Sequence, residues 1–250
     1  MIPKIVHYAW FGSKVPIFVQ RRINNWQTLL PDWKFVLWNE DNFDLSKFDF
    51  SQEMYKKGKL GFVADELRYY VVNKYGGFYF DTDILVKKDL APFLSKKTVW
   101  GYQYDNSLLT AFFGSEPSQD IFEYILDVYK GKELPEMQNF LHSYTSNPIV
   151  TQILKEYYPN FKNNGQLQEL EKNSCIYPKD YFAYLSKNKS ANFTEHLLDN
   201  SWGTKNRGVY GRLKHTYKRM FPYKFSIISA DRGRKKTALQ LQEIQKSINK

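Results

Sequence analysis

Two aspartates, Asp81 and Asp83, stand two residues apart at the end of an apolar run that follows Gly76-Gly77. In an extended strand, residues i and i+2 project to the same face with Cα atoms roughly 6.5 Å apart, so we expect the two carboxylates to point the same way. Adjacent carboxylates repel unless a cation lies beside them, and hard oxygen ligands favour Mg²⁺ or Mn²⁺. An acidic strand end in solvent would have the same sequence pattern. The elements around the two aspartates must therefore distinguish a metal site from a solvated strand end.

Those surrounding elements alternate between strand and helix. Apolar patterning predicts a strand over 2–8, a helix over 17–30 and a strand over 34–38, which together form a β-α-β unit with a parallel strand pair. A further helix over 61–75 is predicted to end at the glycine pair, directly before a strand over 78–86. The acids would therefore follow a helix and lie on one strand.

Later elements are predicted from shorter apolar runs. We find no repeats, no linker and no domain boundary in this region. The predictions are strands over 99–104 and 111–114 around a loop with Asp105, Asn106 and Ser107, helices over 119–129 and 149–157, a short strand over 175–178 and an amphipathic helix over 236–250.

The predicted helix before the acids carries Asp65 and Arg68 at i,i+3 spacing, which makes them neighbours on one helix face. The ordinary interpretation is a surface ion pair, which contributes little to stability. If this face lies beside a metal, a buried Asp65 would accept sugar hydroxyls, and Arg68 would orient it or contact phosphate.

Composition predicts one globular domain. A chain of 250 residues with 42% apolar residues is long enough to bury a full core. A single cysteine, Cys175, excludes an internal disulfide framework and a cysteine-rich zinc site, which fits a reducing cytoplasm. The sequence shows neither a signal-peptide h-region nor an apolar stretch of membrane-spanning length, so we expect a cytoplasmic protein.

The formal net charge of +10 is concentrated near the C-terminus. Between Gly203 and Lys236 there are eleven Lys or Arg residues and one acid, Asp231, so this segment carries the whole net charge. Tyrosine, phenylalanine and aliphatic residues alternate with the charges, as in segments that bind an anionic membrane surface. A solvated face and nucleic-acid binding are the alternatives, and nucleic acid is the less favoured of the two.

Three blocks of the sequence resemble family 32 glycosyltransferases: Ile5-Val6-His7-Tyr8-Ala9-Trp10, Phe62-Val63-Ala64-Asp65-Glu66-Leu67-Arg68 and Tyr75-Gly76-Gly77-Phe78-Tyr79-Phe80-Asp81-Thr82-Asp83. The family includes bacterial capsule and cell-wall polysaccharide enzymes and fungal mannosyltransferases, and is related to the clostridial glucosylating toxins. The likeness is densest over 1–90, with a late block over 196–202. It implies an α/β protein of the GT-A fold, a Rossmann-like nucleotide-diphospho-sugar transferase fold, with a mixed central sheet and helical additions. The catalytic domain would span 1–202, and 203–250 would form a basic C-terminal extension.

The resemblance also implies how a nucleotide would be bound. Trp10 would stack on the nucleobase with His7 and Ile5 nearby, although a tryptophan at a strand end is also an ordinary core residue. Tyr79 and Asp81 would complete the nucleotide site, with Asp81 on the ribose.

The remaining roles concern the donor sugar and the metal. Asp65 and Arg68 would grip the sugar and, with Asp81 and Asp83, form the catalytic set. Asp83 would bind Mn²⁺ or Mg²⁺ directly and Asp81 would belong to the metal shell, with His196 as a further ligand candidate. The sugar and diphosphate would also contact residues later in the chain: Asn106, Ser201 and Trp202.

The resemblance thus implies a metal-dependent, retaining glycosyltransferase in bacterial capsular or other cell-surface polysaccharide synthesis. It would move a hexose from a nucleoside diphosphate sugar, with UDP favoured over GDP, to a saccharide acceptor for which a lipid-linked form is one option. Through the basic extension it would associate with the inner face of the cytoplasmic membrane. A glycosidase is disfavoured because its two carboxylates must flank the bond from different elements. The alternative from another class is a non-catalytic saccharide- or nucleic-acid-binding protein that uses the basic tail.

Overall fold

The computed structural model describes residues 1–199 and 208–249. The strands are β1 (Ile5–Ala9), β2 (Lys34–Trp38), β3 (Gly77–Phe80), β4 (Ile84–Val86), β5 (Thr98–Tyr104), β6 (Ser107–Leu108), β7 (Phe112–Ser115), β8 (Gln168–Leu170), β9 (Ser174–Tyr177) and β10 (Thr194–His196). The α-helices are α1 (Ile17–Leu29), α2 (Asp49–Lys56), α3 (Leu60–Tyr75), α4 (Asp120–Tyr129), α5 (Gln138–Leu141), α6 (Ser146–Tyr157), α7 (Lys179–Phe182), α8 (Gly208–Met220) and α9 (Pro222–Ile248).

A mixed eight-stranded sheet forms the centre of the molecule, in the order β2-β1-β3-β7-β5-β9-β8 with β6 beside β5. The predicted parallel pairing of the first two strands is confirmed, since Ile5 lies opposite Lys34 and the register continues to Ala9 opposite Trp38. β1 and β3 are also parallel, whereas β7 runs antiparallel to both β3 and β5. The predicted α/β class with a mixed sheet is therefore confirmed.

The turn between α3 and β3 requires glycine. Gly76 and Gly77 have φ values of +64° and +97°, in the region that residues with a Cβ rarely adopt. A Cβ on Gly77 would lie 2.6 Å from the carbonyl oxygen of Ile5. The glycine pair thus ends α3, as the sequence predicted, and lets β3 pair with β1 without a connecting loop.

The predicted continuous strand over 78–86 is wrong. It is divided into β3 and β4 by a turn at Asp81–Asp83, in which the Ile84 N–H donates to the Asp81 carbonyl at 3.0 Å. β4 leaves the central sheet and pairs antiparallel with β10, with Ile84 opposite His196. The two aspartates are therefore brought together by a turn at the carboxyl end of β3, and strand alternation does not apply to them.

Aromatic side chains fill much of the two hydrophobic clusters of the core. In one cluster the Trp100 ring stacks on Phe113 and Phe122, with centroid distances of 5.1 and 5.4 Å. In the other, Trp26 of α1 is fully buried and its indole N–H donates to the Ile84 carbonyl at 2.8 Å. Packing thus explains much of the aromatic content, and Trp26 fixes α1 against the strand that follows the acid turn.

The C-terminal part of the chain is helical and packs on the rest of the protein. α9 contacts β5 and α6, and the Asn106 side-chain amide donates to the Arg234 carbonyl at 3.0 Å. The amphipathic helix predicted over 236–250 is the second half of α9, and its Ile244 is fully buried. Among the described residues no helix has the length and apolar character needed to cross a membrane.

His7 is locked in its neutral form inside the fold. Its Nε2 lies 2.9 Å from the Gly76 carbonyl oxygen and its Nδ1 accepts the Trp38 indole N–H at 3.1 Å. The carbonyl oxygen requires a proton on Nε2, and the indole N–H requires an unprotonated Nδ1. A second proton, on Nδ1, would point at the indole N–H and replace a hydrogen bond with a repulsive contact. Burial lowers the pKa of His7 to about 4 from its usual 6.5, and the bond to Gly76 offsets only part of that effect.

We expect this histidine to make the fold sensitive to acid. Because the folded-state pKa lies below the unfolded-state pKa, the stability contribution is complete above about pH 6.5 and is lost as the pH falls toward 4. Between pH 7 and about pH 4.5 the wild type should lose about 2 kcal/mol more unfolding free energy than His7→Gln. Urea unfolding at both pH values measures this difference, and equal losses in the two proteins would contradict it.

Candidate active site

A cavity of about 640 Å³ opens at the carboxyl ends of β3 and β5. Its walls are formed by the start of α3, the Asp81–Asp83 turn, the end of β5, the start of α6, the segment at the end of β10, and α9. Ligands of open α/β sheets bind outside the carboxyl ends of the strands, and a volume of several hundred Å³ is typical of a small-molecule site. The cavity is therefore the candidate active site.

Arg68 joins two of the predicted acids at the floor of this cavity. Its Nη2 lies 3.0 Å from Asp65 Oδ1 and 3.3 Å from Asp81 Oδ1. The other guanidinium atoms are also bound, since Nε donates to the Ala64 carbonyl at 3.0 Å and Nη1 to the Thr110 carbonyl at 2.7 Å. The side chain is 4% exposed, so its position is fixed by buried contacts on all sides.

The planar guanidinium also lies over the Tyr79 ring, 4.8 Å from the ring centroid, which adds a cation–π contact. Its five donors in a fixed fork serve two carboxylates and two carbonyls at once, and a lysine ammonium has neither the geometry nor the number of donors to do so. Arg68 therefore holds Asp65 and Asp81 in place. The i,i+3 pair of Asp65 and Arg68 that the sequence predicted is part of a buried network of polar contacts.

The two carboxylates that Arg68 joins are harder to ionise than free ones. Burial raises the pKa of Asp65 to about 6; Arg68 opposes this shift, whereas the charge of Asp81 adds to it. Burial likewise raises the pKa of Asp81, with Arg68 acting against the shift and the charge of Asp83 acting with it. Each ionised carboxylate therefore makes its neighbour harder to ionise, and a cation bound beside them would reduce this repulsion.

Asp83 is held from the other side by a segment more than a hundred residues later in the sequence. The backbone N–H of Asp199 donates to Asp83 Oδ2 at 3.0 Å, and His196 Nε2 lies 3.3 Å from Oδ1. His196 Nδ1 donates to Gln103 Oε1 at 2.8 Å, which orients the ring. Arg22 of α1 completes the arrangement by pairing with Asp199 and by donating to the Thr82 carbonyl at 3.1 Å.

These contacts favour the ionised form of Asp83. Burial works against the charge, but the His196 ring, the Asp199 N–H and Arg22 together lower the pKa of Asp83 to about 2. For His196, burial opposes protonation, yet the adjacent Asp83 carboxylate raises the pKa of the ring above its usual value. The two halves of the acid turn therefore differ, with a firmly ionised Asp83 and an Asp81 of raised pKa.

The side chains at the acid turn offer the oxygen ligands that divalent metals prefer. Within residues 1–199 and 208–249, no group of three or more His, Cys, Asp or Glu side chains forms a ready-made metal site. Two carboxylates, Asp81 and Asp83, nevertheless line the same cavity, with His196 beside Asp83. Mg²⁺ in nucleotide enzymes is bound by one or two carboxylates and takes its other ligands from water and substrate phosphates. The residues therefore fit a metal ion shared with a bound diphosphate.

The structure brings together five residues predicted from the sequence. They all line the cavity: Asp65, Arg68, Asp81, Asp83 and His196.

Five other predicted residues do not line the cavity. Ile5 and His7 lie in β1, and Trp10, which follows this strand, is 6% exposed within the second hydrophobic cluster. Tyr79 is buried beneath Arg68, and Asn106 contacts the backbone of α9. Two further predictions, Ser201 and Trp202, lie outside the described residues.

Several cavity residues were missed by the sequence analysis. Gln103 lines the cavity and bonds to His196, and no motif marks it. Ser146 lies at the start of α6 and bonds to Thr110 at 2.7 Å, and its hydroxyl also bonds to Asp65. Thr237 and Gln240 come from α9, where helical spacing indicated a buried face without showing what it would contact.

The chain is similar to known glycosyltransferases. Residues 16–100 match the family described as "Glycosyltransferase sugar-binding region containing DXD motif". Inositol phosphoceramide mannosyltransferase 1 of Schizosaccharomyces pombe is 31% identical over 108 residues, which are 39% of this chain and 33% of that protein. An uncharacterized glycosyltransferase of Acanthamoeba polyphaga mimivirus is 25% identical over 217 residues, covering 81% of this chain and 84% of that protein. The match thus spans about a third of the fission-yeast relative.

Among solved structures, the PaToxG glycosyltransferase superimposes with a TM-score of 0.51 at 16% identity, covering 63% of this chain and 70% of that one. This likeness concerns the fold, and the predicted GT-A fold is confirmed. The predicted class is a glycosyltransferase, and the matching family model and the mimivirus relative are both named for that class. The resemblance to family 32 is likewise confirmed, and Asp81-Thr82-Asp83 has the Asp-x-Asp form and lies within the matched residues 16–100.

Proposed function

We propose that this protein is a metal-dependent, retaining glycosyltransferase that moves a hexose from a nucleoside diphosphate sugar to a saccharide hydroxyl in cell-surface polysaccharide synthesis. The observation that carries the proposal is the cluster of Asp65, Asp81 and Asp83 at the floor of a cavity of about 640 Å³, where Arg68 contacts the first two acids and His196 contacts the third. Retention of configuration is proposed from the family resemblance.

The acids determine how an anionic donor can bind. A diphosphate would be repelled by bare carboxylates, so Asp81 and Asp83 would hold a divalent ion between themselves and the phosphates. When bound, this ion supplies Lewis-acid stabilisation of the charge that builds up on the departing nucleoside diphosphate. Asp83 suits direct coordination because its low pKa keeps it ionised without a proton to displace.

The remaining residues would position the sugar. Asp65 lines the cavity and is fixed by Arg68 at 3.0 Å, so its carboxylate is available to accept hydroxyl hydrogens from a pyranose. All three guanidinium nitrogens of Arg68 contact protein acceptors, which assigns the side chain to holding Asp65 and Asp81 in place. Gln103 holds the ring of His196 in its orientation through the hydrogen bond to Nδ1.

Two observations bear on the donor and the acceptor. The family resemblance described above favours a UDP-sugar. The name of the fission-yeast relative refers to a mannosyl group and an inositol-bearing lipid, which favours mannose and a lipid-linked acceptor. We propose a UDP-hexose as the first candidate donor and a mannosyl donor as the second.

A donor panel tests the proposal. The full chain is incubated with Mn²⁺ and, separately, UDP-glucose, UDP-galactose or GDP-mannose, and released nucleoside diphosphate is measured. We expect release with one donor to exceed the others at least about tenfold, because discrimination by buried polar contacts is of this size or larger, and to stop when the metal is chelated. Selective turnover of GDP-mannose would overturn the choice of a UDP-sugar and leave the glycosyltransferase proposal in place. Absence of both turnover and Mn²⁺-dependent nucleotide binding would overturn the enzyme proposal in favour of a non-catalytic binding protein.

A further inference from the structure

The junction of the last two helices exposes large apolar side chains. Leu213, Met220 and Ile227 are 63%, 64% and 70% exposed, and the aromatic residues Phe221 and Tyr223 are 43% and 44% exposed. These five residues, which we call the α8–α9 corner, lie between positions 213 and 227, on both sides of the point where α8 ends and α9 begins. Exposed apolar side chains grouped in this way mark a surface that contacts a partner.

Basic side chains lie beside the corner, against the rings of Phe221 and the neighbouring Phe225. Lys224 lies 5.7 Å above the Phe221 ring, and Lys214 and Lys218 lie 5.8 and 5.6 Å from the ring of Phe225. Within the described part of the chain, neither Lys214, Arg219 nor Lys224 has an acidic partner. The corner therefore combines an apolar tip with uncompensated positive charge.

The corner is connected to the active site by two routes. Lys218 donates to the Leu197 carbonyl at 3.1 Å and pairs with Glu195 at 3.5 Å, on the segment that holds His196 against Asp83. α9 also runs from the corner to the cavity wall, where Gly233 lies about 15 Å along the helix from Tyr223. A surface bound to the corner would thus lie close to the cavity.

We infer that the α8–α9 corner docks on an anionic phospholipid bilayer, with its apolar side chains in the interface and its lysines and arginine at the headgroups. The inference rests on the proposed function, because it brings the cavity next to a lipid-linked acceptor. Leu213, Met220 and Ile227 favour a bilayer over a nucleic acid, since aliphatic side chains neither stack on bases nor bind phosphates, whereas the bilayer interface accepts them.

Vesicle co-sedimentation of the full chain tests the inference. The vesicles contain equal parts of phosphatidylcholine and phosphatidylglycerol, or phosphatidylcholine alone. Each basic residue near an anionic surface strengthens binding roughly fivefold, so the triple variant K214Q/R219Q/K224Q should bind the anionic vesicles about a hundredfold more weakly. The variant L213Q/M220Q/I227Q should also bind more weakly, and high salt should weaken the wild type.

Matched controls separate docking from catalysis and from net charge. The variant K47Q/K57Q/K132Q removes three exposed lysines elsewhere and should bind vesicles like the wild type. Nucleoside diphosphate release without vesicles should be equal in all four proteins, because no substituted residue lines the cavity. Equal vesicle binding by the wild type and both corner variants, with normal turnover, would overturn docking and leave the enzyme proposal in place. If the wild type bound a single-stranded oligonucleotide but no vesicles, and the corner variants lost that binding, the bilayer inference would be overturned in favour of a nucleic-acid surface.

Discussion

Replacing Asp83 with asparagine is expected to slow donor turnover about a thousandfold, a loss of roughly 4 kcal/mol of transition-state stabilisation. Asparagine has the same shape and keeps an oxygen that accepts the Asp199 N–H, so the local structure should persist. It lacks the charge that would hold a divalent ion against a diphosphate. The loss should therefore fall on the chemical step and on metal affinity, with the fold retained.

Two measurements distinguish this outcome from a folding defect. Calorimetric titration of the nucleoside diphosphate with and without Mn²⁺ should show that metal strengthens binding to the wild type and fails to do so for Asp83→Asn. Asp41→Asn changes an exposed aspartate to the same residue outside the cavity and should retain full turnover. If Asp83→Asn kept a tenth or more of the wild-type turnover, the assignment of Asp83 as the metal-binding carboxylate would be refuted.

Replacing Arg68 with methionine is expected to give the largest loss of stability. Removal of one partner from a buried ion pair costs about 3 to 5 kcal/mol, because the remaining charge is buried without compensation. In this protein the change leaves two carboxylates, Asp65 and Asp81, facing each other and removes the donors to the Ala64 and Thr110 carbonyls. For a chain of this size the loss corresponds to a fall of roughly 10 °C in melting temperature.

A double-mutant cycle shows where this effect originates. Asp65→Asn combined with Arg68→Met removes one of the two repelling charges, so the double variant should be more stable than Arg68→Met alone. Arg68→Lys keeps the charge but cannot serve four acceptors, and its stability should lie between that of wild type and that of Arg68→Met. Arg21→Met on the exposed face of α1 serves as the matched control and should melt within about 2 °C of wild type. A similar small shift for Arg68→Met would show that the network does not stabilise the fold.

Much of the N-terminal half was predictable because its signals are local. Alternating apolar residues defined β1 and β2, and helical spacing ending at Gly76-Gly77 defined α3 within one residue at its start. The spacing of Asp65 and Arg68 indicated a shared helix face, and the order of the three sequence blocks placed that face near the DXD motif. These features depend on residues that lie close together in the sequence, where periodicity and turn chemistry are informative.

The rest of the site depends on contacts between distant parts of the chain. Nothing local indicates that the strand stops at Phe80, because the break is made by β4 pairing with β10 and by the bond from the Asp81 N–H to the Ala111 carbonyl. The pairing of His196 with Asp83 and the packing of α9 along the cavity likewise follow from tertiary packing. An amphipathic pattern shows that a helix buries one face without identifying the surface that covers it.

The hydrogen bond from the Asp199 N–H to Asp83 spans 116 positions of sequence and bears on how the protein reaches activity during synthesis. A chain made from its N-terminus exposes the DXD turn long before β10 and the residues after it exist to hold it. Closing such a long loop is also a slow step, so the acid turn should be among the last parts to order. Metal-dependent donor binding would then report complete folding of a newly made chain, and a fragment ending near residue 100 would have the motif without the site.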